Sequence, residues 1–342
     1  MAKPKVKTTL MSLSTDILIM LPGYLCSIED YTNLSSTCRR LRSCMATAAP
    51  NTILHLAAAQ STTFLRPSPH FLVMATAREL GNWARQSVEN EASFASHCRR
   101  EGIDGMLKLA LTHCGLTIER IRELYEMRMS IINPVTDIID KCVGPQWYNT
   151  PDFWHGGVSD ACTIESDPTS TFFHLATYGE LFAPDLDHLL TGTFGRRLSV
   201  NTRLTFVRKC IPETAGNVIP PHNTALRWVV CSSRWRPHWK RFRTTVAGCE
   251  DFKENFDDRW WHRDGDEAHW RQRLYENVMI CQGLEGLGMV RPKLQDAWVE
   301  KCRQWRARVA ELEREPASVL FGRGGLSTPE YPCLLDDLRA AK

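Results

Sequence analysis

The chain is cut into short segments of helical apolar spacing, and this pattern limits its fold most strongly. One segment begins at Thr117, a good helix N-cap, and stops before Pro134. Its apolar stripe consists of Ile118, Ile121, Tyr125 and Ile132. Comparable segments are predicted over 71–88, 105–113, 135–143, 250–261, 267–285 and 292–315. We therefore predict an all-α (mainly α) fold. Since no 20- to 50-residue period is visible, repeat arrays are not expected.

The stretch 199–211 fits two patterns. A strand would use the alternating residues Leu198, Val200, Leu204 and Phe206. A helix would instead align Val200, Leu204, Val207 and Ile211. The helical set is longer and stops at Pro212, so we predict a helix.

Composition excludes several classes of protein. The 42 basic and 39 acidic residues give a net charge of only +3, which argues against a nucleic-acid coat. The 13 cysteines are scattered and contain no C-x-x-C pair, so no metal or other cofactor is expected. The apolar stretch 17–25 is too short to cross a membrane. Reduced thiols fit the cytoplasm, the nucleus or both, and Lys3, Lys5 and Lys7 suit either a frayed terminus or nuclear import.

Breaks in the pattern divide the chain unequally. Two prolines within 66–70 separate a small N-terminal module from the remainder. We predict four parts, namely a flexible start over 1–10, the module over 11–58, an irregular helical domain over 71–330 and a tail over 331–342. The Pro/Gly-containing loop at 213–223 is a place where the larger domain could divide.

The N-terminal module should contain four short helices. Ser14 can cap the first helix, while Leu13 packs onto Leu18. Pro22 should kink or shorten that helix because proline lacks a backbone N–H. Ser27 followed by Asp30 predicts a second cap, and two more helices are predicted over 37–45 and after Pro50.

Twelve positions within residues 13–42 form an extended pattern, namely Leu13, Asp16, Ile17, Leu18, Tyr24, Leu25, Asp30, Leu34, Ser35, Cys38, Arg39 and Leu41. Through these positions the stretch resembles the F-box family, most closely its fungal members. The sequence departs from the family pattern at Ser14, where a proline is usual, and at Pro22 within the first helix. Alternatively, these residues are simply the first helices of one larger all-α domain.

The resemblance implies that the chain is a non-catalytic substrate receptor of a Skp–cullin–F-box ubiquitin ligase. Its partners would be a Skp-type adaptor, the cullin ligase and an unknown protein substrate. Four short helices also make a small core, which gains stability by packing apolar side chains on a partner. The candidate adaptor-binding residues are Leu13, Ile17, Leu18, Leu21, Leu25, Leu34 and Leu41.

A second candidate site combines tryptophans with basic residues over 228–243. Its candidate substrate-binding residues are Arg234, Arg236, Lys240, Arg241 and Arg243. Arginine clusters pair well with phosphate, so an acidic or phosphorylated substrate segment is one ligand. Nucleic acid stacked on the aromatic rings is another. A third reading is a buried helix stripe with a basic outer face.

No catalytic signature is evident. His155-Gly156-Gly157 lies too close to Ser159 for an esterase, and the glycines at 283–288 do not follow a strand. The adjacent pairs His97-Cys98 and His113-Cys114 are predicted to hold buried thiols rather than a catalytic dyad. The alternatives to an F-box adaptor are a helical interaction protein outside any ligase, a nucleic-acid binder or an unrecognised helical enzyme.

Overall fold

A computed structural model describes residues 9–59, 69–133, 168–211, 266–287, 296–321 and 326–341. The prediction of a mainly α-helical fold is confirmed, and no repeat array appears in these ranges. The first eight helices are α1 (Thr15–Met20), α2 (Ile28–Thr37), α3 (Arg39–Met45), α4 (Pro50–Ala58), α5 (Pro69–Gln86), α6 (Val88–Glu101), α7 (Ile103–His113) and α8 (Ile118–Met127). The later elements are α9 (Pro168–Phe182), α10 (Asp187–Leu190), α11 (Val200–Cys210), α12 (Asp266–Ile280), α13 (Gly283–Leu287), α14 (Asp296–Glu311), β1 (Ser318–Phe321), β2 (Leu326–Pro329) and α15 (Leu334–Ala340).

Local chemistry sets the boundaries of the first helices. Helix α1 ends at Met20, and the chain continues as a 3-10 turn through the buried Pro22. The Ser27 hydroxyl accepts a hydrogen bond from the Asp30 N–H at 3.2 Å, which caps α2 as predicted. Cys38 then adopts an extended conformation that separates α2 from α3. One continuous predicted helix over 37–45 is thus shortened to begin at residue 39.

Helix α5 is the centre of the helical body, which we define as the described residues from 69 onward. It packs against α6, α7 and α9. Helix α9 in turn passes directly over the start of α13, where a Cβ on Gly179 would lie 2.4 Å from the backbone nitrogen of Gly283. Only glycine at position 179 permits this approach. Gly283 itself has φ 73°, a left-handed conformation that suits glycine and turns the chain into α13.

A buried polar cluster fixes the C-terminal end. The strands β1 and β2 pair antiparallel, and α15 packs on β2 and α11. The fully buried Arg203 of α11 donates from Nε to the Asp337 carboxylate at 3.0 Å. Its Nη2 and Nη1 donate to the backbone carbonyls of Pro329 and Glu330 at 2.7 and 2.6 Å. The hydroxyl groups of Tyr178 and Thr328 also donate to Asp337, at 2.7 and 2.6 Å.

Residues 331–341, which were predicted to belong to a C-terminal tail, pack on the helical body. Tyr331, Leu334 and Leu338 are buried in the main core, and Asp337 of α15 pairs with Arg203.

The helical prediction for 199–211 is supported by α11, which Ser199 caps by accepting a hydrogen bond from the N–H of Thr202. Thr117 likewise caps α8, which continues as a π-helical turn to Ile132. Predictions for 135–143, 155–159 and 250–261 lie outside the described residues.

The N-terminal helices join the helical body mainly through α4. The Asn51 amide donates to the carbonyl of Leu111 at 2.7 Å, and the N–H of Leu116 donates to the carbonyl of Pro50 at 2.9 Å. Ile53 and Leu54 enter the same core as α5 and α7. Helices α1 and α3 instead close around a small separate cluster, so the predicted module is only partly independent of the body.

Candidate functional site

The small cluster in the N-terminal helices has very few fully buried members. Leu18, Leu41 and Cys44 form its centre, and Leu13, Leu21, Leu34 and Cys38 pack around them. On the neighbouring side, Tyr31 of α2 enters the main core and donates its hydroxyl to the carbonyl of Met45 at 2.7 Å. The unit is thus anchored through α2 and α4, while α1 lies at the outside.

Large apolar side chains remain exposed in and before α1 and in the turn that follows it. Ile17, Met20 and Tyr24 are exposed by 48%, 57% and 75%, at spacings of three and four residues. We call the exposed set the N-terminal apolar strip: Leu10, Met11, Ile17, Ile19, Met20 and Tyr24. The strip holds six of the eleven large apolar side chains that are exposed in the described ranges. Such a concentration is typical of a protein-binding surface.

The segment before α1 is held in place by Arg40 of α3. Its guanidinium donates to the carbonyls of Met11 and Leu13 at 2.7 and 2.8 Å. The Cys38 sulfur also lies 3.7 Å from the Met11 sulfur. These contacts give residues 10–13 a defined position beside α1 rather than leaving the start of the strip without support.

The predicted adaptor-binding residues fall into three groups. Ile17 is exposed and belongs to the strip. Leu18 and Leu41 are buried in the small cluster, so they support the surface from beneath. The remaining four are partly buried, with Leu13, Leu21 and Leu34 around that cluster and with Leu21, Leu25 and Leu34 packed on the main core.

The predicted adaptor-binding residues do not include five other members of the strip, namely Leu10, Met11, Ile19, Met20 and Tyr24. Met20 and Tyr24 follow Ile17 at helical spacing, and this signal could have identified them. Leu10 and Met11 lie in a 3-10 turn before α1, so helical periodicity does not reach them. The 3-10 turn after Met20 also changes which residues of the apolar stripe face outward.

The second candidate site predicted from the sequence is the basic segment over 228–243. Arg234, Arg236, Lys240, Arg241 and Arg243 lie outside the residues that the structure describes. All three readings of that segment therefore stay predictions.

The two His-Cys pairs contain buried thiols. Burial raises the pKa of the Cys114 thiol to about 12, which keeps it protonated and poorly nucleophilic. His113 stacks on Trp83 with ring centroids 4.2 Å apart, and a ring nitrogen of His97 bonds to the carbonyl of Ser93. Each histidine is thus engaged elsewhere.

The described ranges contain no group of three or more His, Cys, Asp or Glu side chains able to hold a metal ion. Among the helices described there, none combines the length and apolar character needed to cross a bilayer. Comparison of the chain with family models, curated proteins and solved structures found no match.

Proposed function

We propose that this chain is an F-box adaptor that binds a Skp-type adaptor and recruits a protein substrate to a cullin-based ubiquitin ligase. The observation that carries the proposal is the N-terminal apolar strip, because four of its six residues lie within 13–42, the stretch that resembles the F-box. A helical protein-binding surface of this kind presents apolar residues at spacings of three and four. Ile17, Met20 and Tyr24 have these spacings and are exposed.

The proposed role needs no bond chemistry in this chain. Holding a substrate beside the ubiquitin-charged component of the ligase raises its effective concentration there. This recruitment would take place in the cytoplasm, the nucleus or both. Free thiols such as the exposed Cys26 fit a reducing compartment.

The test is a pull-down of recombinant Skp-type adaptor by the double variant Ile17→Glu, Met20→Glu. Glutamate keeps good helix propensity, so the change acts on the apolar surface more than on α1. Leu13 is left intact because it packs on the small cluster. We expect adaptor binding to weaken by at least about tenfold, since central apolar contacts often contribute more than 1 kcal/mol each.

A matched control uses exposed apolar residues of the helical body. Met129 and Phe194 are exposed by 72% and 102%, and the variant Met129→Glu, Phe194→Glu adds the same charge. This control should bind adaptor as the unmodified chain does. Unchanged binding by a folded Ile17→Glu, Met20→Glu variant would rule out the strip as the adaptor surface. If the unmodified chain binds no adaptor, an interaction protein outside any ligase becomes the better assignment.

A further inference from the structure

A cleft of about 590 Å³ opens on the helical body, away from the N-terminal apolar strip. Its walls come from α5, α8, α9, α10, α13 and α14, so it joins segments far apart in the sequence. None of the strip residues lines it. The volume lies in the range of about 300–1,000 Å³ that is usual for binding pockets.

The floor of the cleft is apolar. Met74, Leu124, Leu284 and Trp305 line it, and each is buried. These side chains come from four different helices, α5, α8, α13 and α14. An apolar residue that entered the cleft would therefore meet side chains held by four packed helices.

The cleft also carries an unequal set of charges. Four carboxylates stand against three cations, and the lining charges are Glu79, Glu180, Asp187, Glu285, Arg78, Arg120 and Lys301. Arg78 pairs with Glu180 at 3.0 Å, and Arg120 reaches Glu285 at 3.5 Å. The Lys301 ammonium lies 5.3 Å from the ring centroid of Trp305.

Two carboxylates remain without a paired cation. Within the described ranges, neither Asp187 nor Glu79 forms an ion pair. Glu79 accepts a hydrogen bond from the N–H of Gly115 at 2.9 Å. Asp187 also lies in the electrostatic field of Arg78, Arg85 and Lys301. Both carboxylates are exposed to solvent, so a cationic ligand that enters the cleft can reach and pair with them.

We propose that this cleft binds a short protein segment that presents a lysine or arginine to Asp187 and Glu79 and an apolar side chain to the floor. An apolar centre with a charged rim is the usual arrangement of a protein-binding surface. The charge excess selects a basic segment over an acidic one. Identifying that segment as the recognition element of a ligase substrate rests on the proposed function.

The probes are two fluorescein-labelled hexapeptide pools with random flanks, one with Leu-Lys at its centre and one with Leu-Glu. Binding of each pool to the full chain is measured by fluorescence anisotropy. The Leu-Lys pool should bind at least about tenfold more tightly, and the preference should shrink as salt screens exposed charges. Equal binding of the two pools, or tighter binding of the Leu-Glu pool, would overturn the proposal.

Variants that each neutralise one carboxylate test whether the peptides bind in the cleft. Asp187→Asn should reduce the preference for the Leu-Lys pool by about fivefold or more, and Glu79→Gln should also reduce it. Glu126→Gln is the matched control, because Glu126 is exposed and does not line the cleft. An Asp187→Asn and a Glu79→Gln variant that both keep the preference of the control would exclude the cleft.

The two proposals can fail separately. If the unmodified chain prefers the Leu-Lys pool but binds no Skp-type adaptor, the cleft assignment stands and the ligase assignment falls. If it binds the adaptor but shows no preference between the pools, the cleft assignment falls alone.

Discussion

The N-terminal helices expose large apolar side chains, whereas the C-terminal end of the helical body buries a charged one. In the first region Met20 and Tyr24, which are largely apolar, extend into solvent. In the second, the charged Arg203 has no solvent exposure at all. Both arrangements cost free energy unless a partner compensates for them. For Arg203 the partner is within the chain, whereas the proposed partner of the strip is another protein.

The buried Arg203 keeps its charge because it is paired with the equally buried Asp337 carboxylate. Burial alone would lower the pKa of Arg203, but the adjacent Asp337 carboxylate outweighs this effect and raises the pKa. Arg203 and Asp337 are both fully buried, and both make further hydrogen bonds. The C-terminal hairpin and α15 are therefore joined to α11 by a specific polar contact as well as by apolar packing.

Breaking this internal pair should give the largest loss of stability. We expect Asp337→Ala to lower the free energy of unfolding by about 3–5 kcal/mol, because Arg203 would remain buried without its counter-charge. Urea denaturation followed by circular dichroism measures the loss. The surface pair of Arg197 and Glu330, 3.7 Å apart, provides the control. Glu330→Ala should cost less than about 1 kcal/mol.

The double variant Arg203→Met, Asp337→Leu tests the explanation. It removes both charges together, so it should recover part of the stability that Asp337→Ala loses. A double variant less stable than Asp337→Ala would show that the polar contacts matter beyond charge pairing.

The small cluster should give the second largest effect, confined to its own region. Leu18 is fully buried, so Leu18→Ala should destabilise the N-terminal helices by about 2–4 kcal/mol. The exposed Ile17 is the neighbouring control, and Ile17→Ala should change stability by less than about 0.5 kcal/mol. Hydrogen exchange should accelerate in α1 to α3 and stay unchanged in α5 to α7.

Hydrogen exchange of Leu18→Ala can also show that the N-terminal helices do not unfold separately from the helical body. Equal acceleration in α5 to α7 after Leu18→Ala would mean that the N-terminal helices and the helical body unfold as one cooperative unit. Bound Skp-type adaptor should slow exchange in α1, if the strip is its docking surface.

Helical spacing predicted the elements with one apolar face and missed elements of other composition. Helix α9 was not predicted, since residues 172–179 are buried on every side and show no periodic polar face. Helix α6 is rich in polar residues and gives a weak stripe. The contact of Arg203 with Asp337 spans 134 positions, a separation that local patterns do not reach.

The candidate site was predicted only in part, for a related reason. Leu18 and Leu41 belong to the apolar stripe of the N-terminal helices, and both are buried. Ile17 and Met20 lie nearby in the sequence and are exposed. An apolar residue at helical spacing is expected to pack against another surface, but the sequence does not say whether the chain itself or a partner protein provides that surface. Tertiary packing decides between the two.

Replacing the serines at two helix starts should give the smallest loss of stability. The pair compares a cap predicted from the residue type alone with a cap that forms the hydrogen bond. Ser14 and Ser27 both occupy N-cap positions, and both were predicted to cap. Only Ser27 makes the side-chain hydrogen bond, and its hydroxyl also donates to the Asp30 carboxylate at 2.9 Å. Ser27→Ala should therefore cost about 1 kcal/mol, whereas Ser14→Ala should cost a few tenths at most.

Thermal unfolding of the two alanine variants, with hydrogen exchange to assign the region, measures this difference. The position of Ser27 sharpens the expectation, because the residue begins the helix that carries Ile28 and Tyr31 into the main core. Weakening that cap should loosen the connection between the N-terminal apolar strip and the helical body. Equal destabilisation by Ser14→Ala would mean that α1 is capped by Ser14 in solution and that the strip is held more firmly than the few buried residues of the small cluster suggest.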